Sequence, residues 1–415
     1  MCILFLSGCA TGLDYRQIDR HMAAGDCPAA LDSLEKSRYS ANQKLLYFMD
    51  AAMINMRCGN NEAAVDYLHQ AENLARDLWT LSVSREMASF LWNDYTRPYA
   101  GEDFERAMIN LMAAVSYIRM GDHNAALVEF RRLDSLLNGL NDKYEKKNVY
   151  KEDAFARYMS GILYEDDGNI NDAFIAYYRA YEIYNDYQKY YGTPIPSILL
   201  ADLYRTGKAV DRIEDIRKLG VDPELISRYK DDEKPGYGKI VIVGFKGRAP
   251  RKVESALLVP TRSGPVKIAF PDFVVEKPVR SGRTVIVESK EERFTVNAHL
   301  VQDINMIAVK NLHDKRGRTM ARVAARTLAK QVVIDQAARE TGSDILRLGM
   351  NIANLFVERA DTRSWRTLPG EIYLSRLFVP AGDYTVHPPS GYGAKTRSET
   401  VIVTPGSTEF IFQMM

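Results

Sequence analysis

Apolar residues recur at i, i+3, i+4 and i+7 through most of residues 14–230, the spacing that builds one buried face per helix. The punctuation there is Gly-Asp or Gly-Asn. Near residue 234 the pattern changes. Lys239-Ile-Val-Ile-Val-Gly-Phe245 is short and β-branched, and Val253–Val259, Pro265–Phe270, Thr284–Glu288 and Arg293–Ala298 follow at hairpin spacing. Helical spacing returns over about Val301–Glu340 and Ile345–Arg359. Four more strands are predicted at Glu371–Val379, Asp383–Val386, Glu399–Val403 and Glu409–Phe412. The expectation is a multidomain chain: an all-α first part over 13–233, then an α+β part over 234–415, an antiparallel sheet or sandwich with a helical insertion.

The helical part repeats. Gly25-Asp-Cys-Pro-Ala-Ala-Leu31, Gly59-Asn-Asn-Glu-Ala-Ala-Val65, Gly121-Asp-His-Asn-Ala-Ala-Leu127 and Gly168-Asn-Ile-Asn-Asp-Ala-Phe174 align. Each has Ala five residues after the Gly and a large residue nine after it: Leu34, Leu68, Phe130 and Tyr177. A Gly ends one helix in the left-handed region, and the small Ala lets the next helix approach closely. Gly25 to Gly59 is 34 residues, so the array resembles the tetratricopeptide (TPR) family. The later intervals of 62 and 47 residues make it irregular. The resemblance implies a TPR-like α-solenoid.

Charge sharpens the boundary. Residues 1–233 hold 27 Lys+Arg against 37 Asp+Glu, a balance of −10, and residues 234–415 hold 28 against 17, a balance of +11. The whole-chain figure of +1 hides this division. Asp231-Asp-Glu-Lys-Pro-Gly-Tyr-Gly238 at the junction has linker composition. Two oppositely charged parts either attract each other or face separate partners.

The first 12 residues read as the end of a secretory signal. Within them Leu6-Ser7-Gly8-Cys9 resembles the lipobox of bacterial lipoproteins. That resemblance implies cleavage before Cys9, lipidation of its thiol, and, with Ala10 rather than Asp next, an outer-membrane anchor facing the periplasm. Cys27 and Cys58 are then the remaining pair, in a compartment that permits disulfides. Equivalent turns of stacked repeats lie roughly 10 Å apart, and a bridge needs Cα atoms within about 7 Å. Both a bridge and two buried thiols fit the sequence.

No GxSxG, HExxH, GxxxxGK[ST] or CxxC motif occurs, and the six His are scattered. No catalytic residue, metal or cofactor is expected. Glu165-Asp166-Asp167 reads as a solvated helix end. Glu102, Asp103 and Glu105 suit the positive end of a helix dipole. Tyr99 beside them is a candidate ligand contact. Nine Tyr between Tyr158 and Tyr191, with Tyr177, Tyr181 and Tyr184 foremost, read either as a partner-binding groove or as core plus helix surface. Arg318, Arg322, Arg326 and Lys330 recur every four residues on one face of the helix over 301–340. That basic stripe reads as a solvated face paired with the acidic helical part, or as a contact for an anionic surface, phospholipid or peptidoglycan. Nucleic acid is disfavoured by export and by the acidic first part.

The lipobox, Gly101-Glu-Asp-Phe-Glu-Arg106 and Arg363-Ser-Trp-Arg-Thr-Leu-Pro369 together resemble a family of uncharacterised bacterial TPR outer-membrane lipoproteins. The resemblance implies location and architecture: an envelope-anchored scaffold that binds protein partners, in cell-wall synthesis or surface assembly. The competing reading is a cell-wall hydrolase with a site in the C-terminal part.

Overall fold

A computed structural model describes residues 14–85, 97–144, 149–221, 234–261, 264–276, 284–341, 359–388 and 398–414. Its first part is helical, and the rest is α+β with mainly antiparallel sheets. Five helical hairpins follow one another: α1 (Tyr15–Ala23) with α2 (Cys27–Glu35), α3 (Lys44–Arg57) with α4 (Asn61–Arg85), and α5 (Asp103–Arg119) with α6 (His123–Lys143). Then come α7 (Ala154–Asp166) with α8 (Ile170–Tyr191), and α9 (Ser197–Ala209) with α10 (Ile213–Lys218).

The turns explain the repeats. Gly25, Gly59, Gly121 and Gly168 have φ of 70°, 82°, 77° and 77°, which only Gly adopts freely. The Ala five residues on, at 30, 64, 126 and 173, are all fully buried, as are Leu68 and Tyr177. The fifth hairpin breaks the signal. Asp211 stands at its turn with φ 56°, the one non-Gly residue with positive φ among the described residues, and the buried residue five on is Ile216.

Among the described residues, the C-terminal part has two four-stranded sheets and a hairpin. The central sheet has the order β10 (Thr408–Met414), β1 (Tyr237–Lys246), β7 (Glu371–Pro380), β6 (His299–Asp303). The second has the order β5 (Arg293–Asn297), β4 (Thr284–Glu288), β8 (Gly382–His387), β9 (Glu399–Val403). β2 (Arg251–Thr261) and β3 (Gly264–Val274) form a long ribbon. The all-antiparallel expectation is corrected at one place: β1 pairs β10 in parallel, joining both ends of this part. The long helix α11 (Ile304–Thr341) starts later than its pattern predicts, because residues 299–303 pair with β7 as a strand. The helix expected over Ile345–Arg359 lies, but for Arg359, outside the described residues.

The stretch Ile240–Phe245 of β1 is an unbroken apolar run because both its faces are covered. Val241, Val243 and Phe245 point into the core that contains α3, α5 and α7. Ile240 and Ile242 point into a second core with Val285, Val287 and Val386 of the other sheet. One apolar core therefore runs from the helical hairpins into the central sheet, with Trp365 and Leu368 inside it. No helix among the described residues is long and apolar enough to cross a membrane.

Candidate functional site

The first helix of successive hairpins offers a buried carboxylate to the C-terminal part. On α3, Asp50 accepts hydrogen bonds from Tyr15 and Tyr39 hydroxyls (2.8 Å each) and from Thr367 Oγ1 (2.7 Å). No cation pairs with it among the described residues, and burial pushes its pKa up to about 6. At the start of α5, Glu102 pairs with Lys252 and Asp103 with Lys315 at 2.5 Å. Burial alone would raise the Glu102 pKa, but Lys252 and Lys315 outweigh it and hold the carboxyl at about 2. Glu105 caps its own helix at Glu102 N (2.8 Å), takes the Tyr99 hydroxyl (2.5 Å), and accepts the Trp365 backbone N–H at 2.7 Å.

At the N-cap of α7, Asp153 accepts from Tyr150 (2.6 Å) and Gln302 of β6 (2.5 Å). Further along that helix, Glu165 takes both arms of Arg205 (2.8 and 2.9 Å), Lys239 of β1 (2.7 Å) and the Tyr177 hydroxyl (2.8 Å). On α9, Asp202 binds Arg205 (2.6 Å), Arg376 of β7 and Tyr158 (2.7 Å). Burial opposes ionisation of Glu165, and the surrounding cations overcome it and depress its pKa. These groups are closed in by their partners. They act as a row of pins between the acidic and basic parts.

The sequence-derived candidates fall as follows. Cys9 lies outside the described residues. Cys27 and Cys58 are joined by a disulfide, with Cα atoms 5.6 Å apart. The partner-groove expectation is corrected for Tyr99, Tyr177 and Tyr184, which are buried. Their hydroxyls need internal acceptors once they leave water: Glu105, Glu165 and the Val301 carbonyl (2.9 Å) respectively. Tyr181 is half-buried and packs against the same core.

The basic stripe is also corrected. Arg326 is buried and unavailable to an envelope polymer. Arg318 lies over the Tyr144 ring at 4.2 Å, Arg322 is exposed, and the Lys330 side chain lies outside the described ones. The preceding Lys315 pairs with Asp103 of the acidic helices.

Sequence reasoning missed Asp50, Asp153, Asp202 and their partners. An acid inside the apolar run Leu45–Met56 was the readable signal for Asp50. It also missed that His123 meets Asp166 at 3.2 Å. With Asp167, these donors lie within 4.8 Å of one another and could hold a divalent cation. They start one helix and end another 43 residues on, so no local motif marks them.

Two of the solvent-open clefts among the described residues are rich in arginine. One, of about 650 Å³, lies between α4 and α6 and is lined by His69, Glu72, Arg76, Arg131 and Arg132. The other, of about 490 Å³, lies where α1 meets the β1–β2 turn and the Trp365 segment.

No family model matches this chain, and no curated protein does. Among solved structures, BtubC (BKLC) from P. vanneervenii is similar at 15% identity, over 52% of this chain and 80% of that one, with a TM-score of 0.33. That likeness is too distant to bear on fold or function.

Proposed function

We propose that this protein is a lipoprotein scaffold of the bacterial outer membrane, held by lipid on Cys9 and facing the periplasm, without an enzymatic activity of its own. Its helical hairpins form a TPR-like array that receives a protein partner in cell-wall synthesis or surface assembly. The observation that carries the compartment is the Cys27–Cys58 bridge, since such bonds persist outside the reducing cytosol. It agrees with the Leu6-Ser7-Gly8-Cys9 pattern.

The partner surface differs from the one the tyrosines suggest. The side of the array that carries Asp50, Glu105, Asp153 and Asp202 is filled by the chain's own C-terminal part. The outer side remains, with the α4–α6 cleft as its docking point. Arg131 and Arg132 there, beside Glu72 and His69, suit a partner segment with acidic side chains.

Two measurements test the reading. Palmitate labelling and membrane fractionation of the natural precursor should both be lost in Cys9→Ala. An intact, unlabelled Cys9 would end the lipoprotein reading. Envelope proteins captured by the wild-type chain should drop from the capture made with Arg131→Glu/Arg132→Glu. Identical captures would remove the cleft as a docking point.

A further inference from the structure

We propose that Arg16, Arg248, Arg251 and Arg366 form an anion site that takes the phosphate of a phospholipid headgroup, a second membrane contact beside the N-terminal anchor. For its orientation, though not for its chemistry, this rests on the anchoring reading above.

The cleft of about 490 Å³ gathers four guanidinium groups and two carboxylates, Asp19 and Glu276. It therefore carries an excess of two positive charges in one concavity, drawn from both sides of the division at residue 234. Arg248 is largely buried. It donates to the Tyr15 backbone carbonyl at 3.3 Å and pairs with Asp19. Arg366 lies over the Tyr15 ring at 4.8 Å and reaches Glu276 at 3.2 Å. Both carboxylates sit at the rim, with side chains 43% and 47% exposed. Exposed pairs of this kind hold weakly.

Burial lowers the Arg248 pKa, and the Arg366 charge beside it pushes the same way. The two cations are thus held close at a cost that a phosphate anion between them would relieve. Arg16 and Arg251 are exposed and form no ion pair with any described residue. A phosphate accepts two parallel hydrogen bonds from a guanidinium fork, and four such forks converge here from α1, the β1–β2 turn, β2 and the Trp365 segment.

Position selects the membrane as the source. Tyr15 lines the cleft and stands six residues after Cys9. Six residues span at most about 20 Å, so a lipid on Cys9 keeps the cleft within reach of headgroups. The site replaces the α11 stripe as the anionic-surface contact. That stripe has Arg326 buried, whereas all four arginines of this site line one cleft.

The test is vesicle flotation of the full chain carrying Cys9→Ala, so that no acyl anchor contributes. Vesicles are phosphatidylcholine alone or phosphatidylcholine with phosphatidylglycerol. Binding is expected only with phosphatidylglycerol, falling as salt rises. Arg16→Glu/Arg251→Glu, at two exposed positions, should weaken it at least about tenfold. Lys290→Glu/Arg293→Glu, the same charge change at exposed positions of the β4–β5 turn, should leave it unchanged, and thermal unfolding of both doubles should match the parent.

No binding by the parent, equal binding by the cleft double, or equal loss in the control double would each overturn the proposal. So would a rise in thermal stability with inorganic phosphate alone and no vesicle binding, which would assign the cleft to free anions. Failure of Cys9 to take palmitate in the natural precursor would sink the anchor and leave the flotation result standing.

Discussion

Asp50 is fully buried, and its three hydrogen-bond partners are hydroxyls rather than cations. Its pKa of about 6 lies above the ordinary value of 3.8. A carboxyl whose pKa is raised on folding stabilises the fold fully below its unfolded pKa. That contribution is lost as pH rises through the folded value. Between pH 4 and 7 the wild type should therefore lose about 2–3 kcal/mol relative to Asp50→Asn, measured by denaturant unfolding at both pH values. Parallel pH profiles would mean that the carboxyl is already ionised at pH 4.

Gly161 makes a second argument at this scale. A Cβ there would meet the Tyr177 ring at 2.4 Å, and that ring is pinned by Glu165. Gly161→Ala should cost about 1–2 kcal/mol, since overpacking outweighs the gain in helix propensity. A stabilised variant would show that the ring can retreat.

Single elements show what periodicity can and cannot reveal. The four Gly turns were legible because a left-handed helix end has a residue signature. The fifth hairpin was not, because Asp211 takes the same conformation without it. The strands of the C-terminal part stand almost where alternation predicts them, yet the end of β6 was read as helix: Leu300 and Val301 are its only aliphatic residues, too few to carry a decisive period, and its pairing with β7 is non-local. The tyrosines were the hardest case. Composition marks Tyr177 and Tyr184 as contact residues, and nothing local tells whether the surface they contact belongs to another protein or to this chain.

The α1–α2 hairpin has its own small core of Ile18, Ala30 and Leu34 against Ala51 and Ile54 of α3. The bridge from Cys27 to Cys58 closes a separation of 31 residues, worth about 3–4 kcal/mol in the chain-entropy account. Cys58→Ser should lower the unfolding free energy by that amount and make it insensitive to reductant, by denaturant titration with and without dithiothreitol. An unchanged free energy would mean that the small core alone docks the hairpin.

The molecule as a whole turns its charge division inward. The −10 of residues 1–233 and the +11 of residues 234–415 meet at Glu102–Lys252, Asp103–Lys315, Glu165–Lys239 and Asp202–Arg376. Apolar burial is the larger driving force there, because one core passes between the parts. Burial alone, however, does not fix which register the sheet adopts against the helices, whereas a buried cation without its carboxylate is costly in any other register.

That division of labour can be measured. Asp202→Asn leaves Arg205 and Arg376 without the carboxylate they share, and should cost about 3–5 kcal/mol. Adding Arg376→Leu removes one of the two charges that lose this carboxylate and should recover more than half of the loss, a coupling readable from a double-mutant cycle in urea. If the single and double variants unfold alike, the pins contribute nothing separable and the apolar core alone holds the two parts in place.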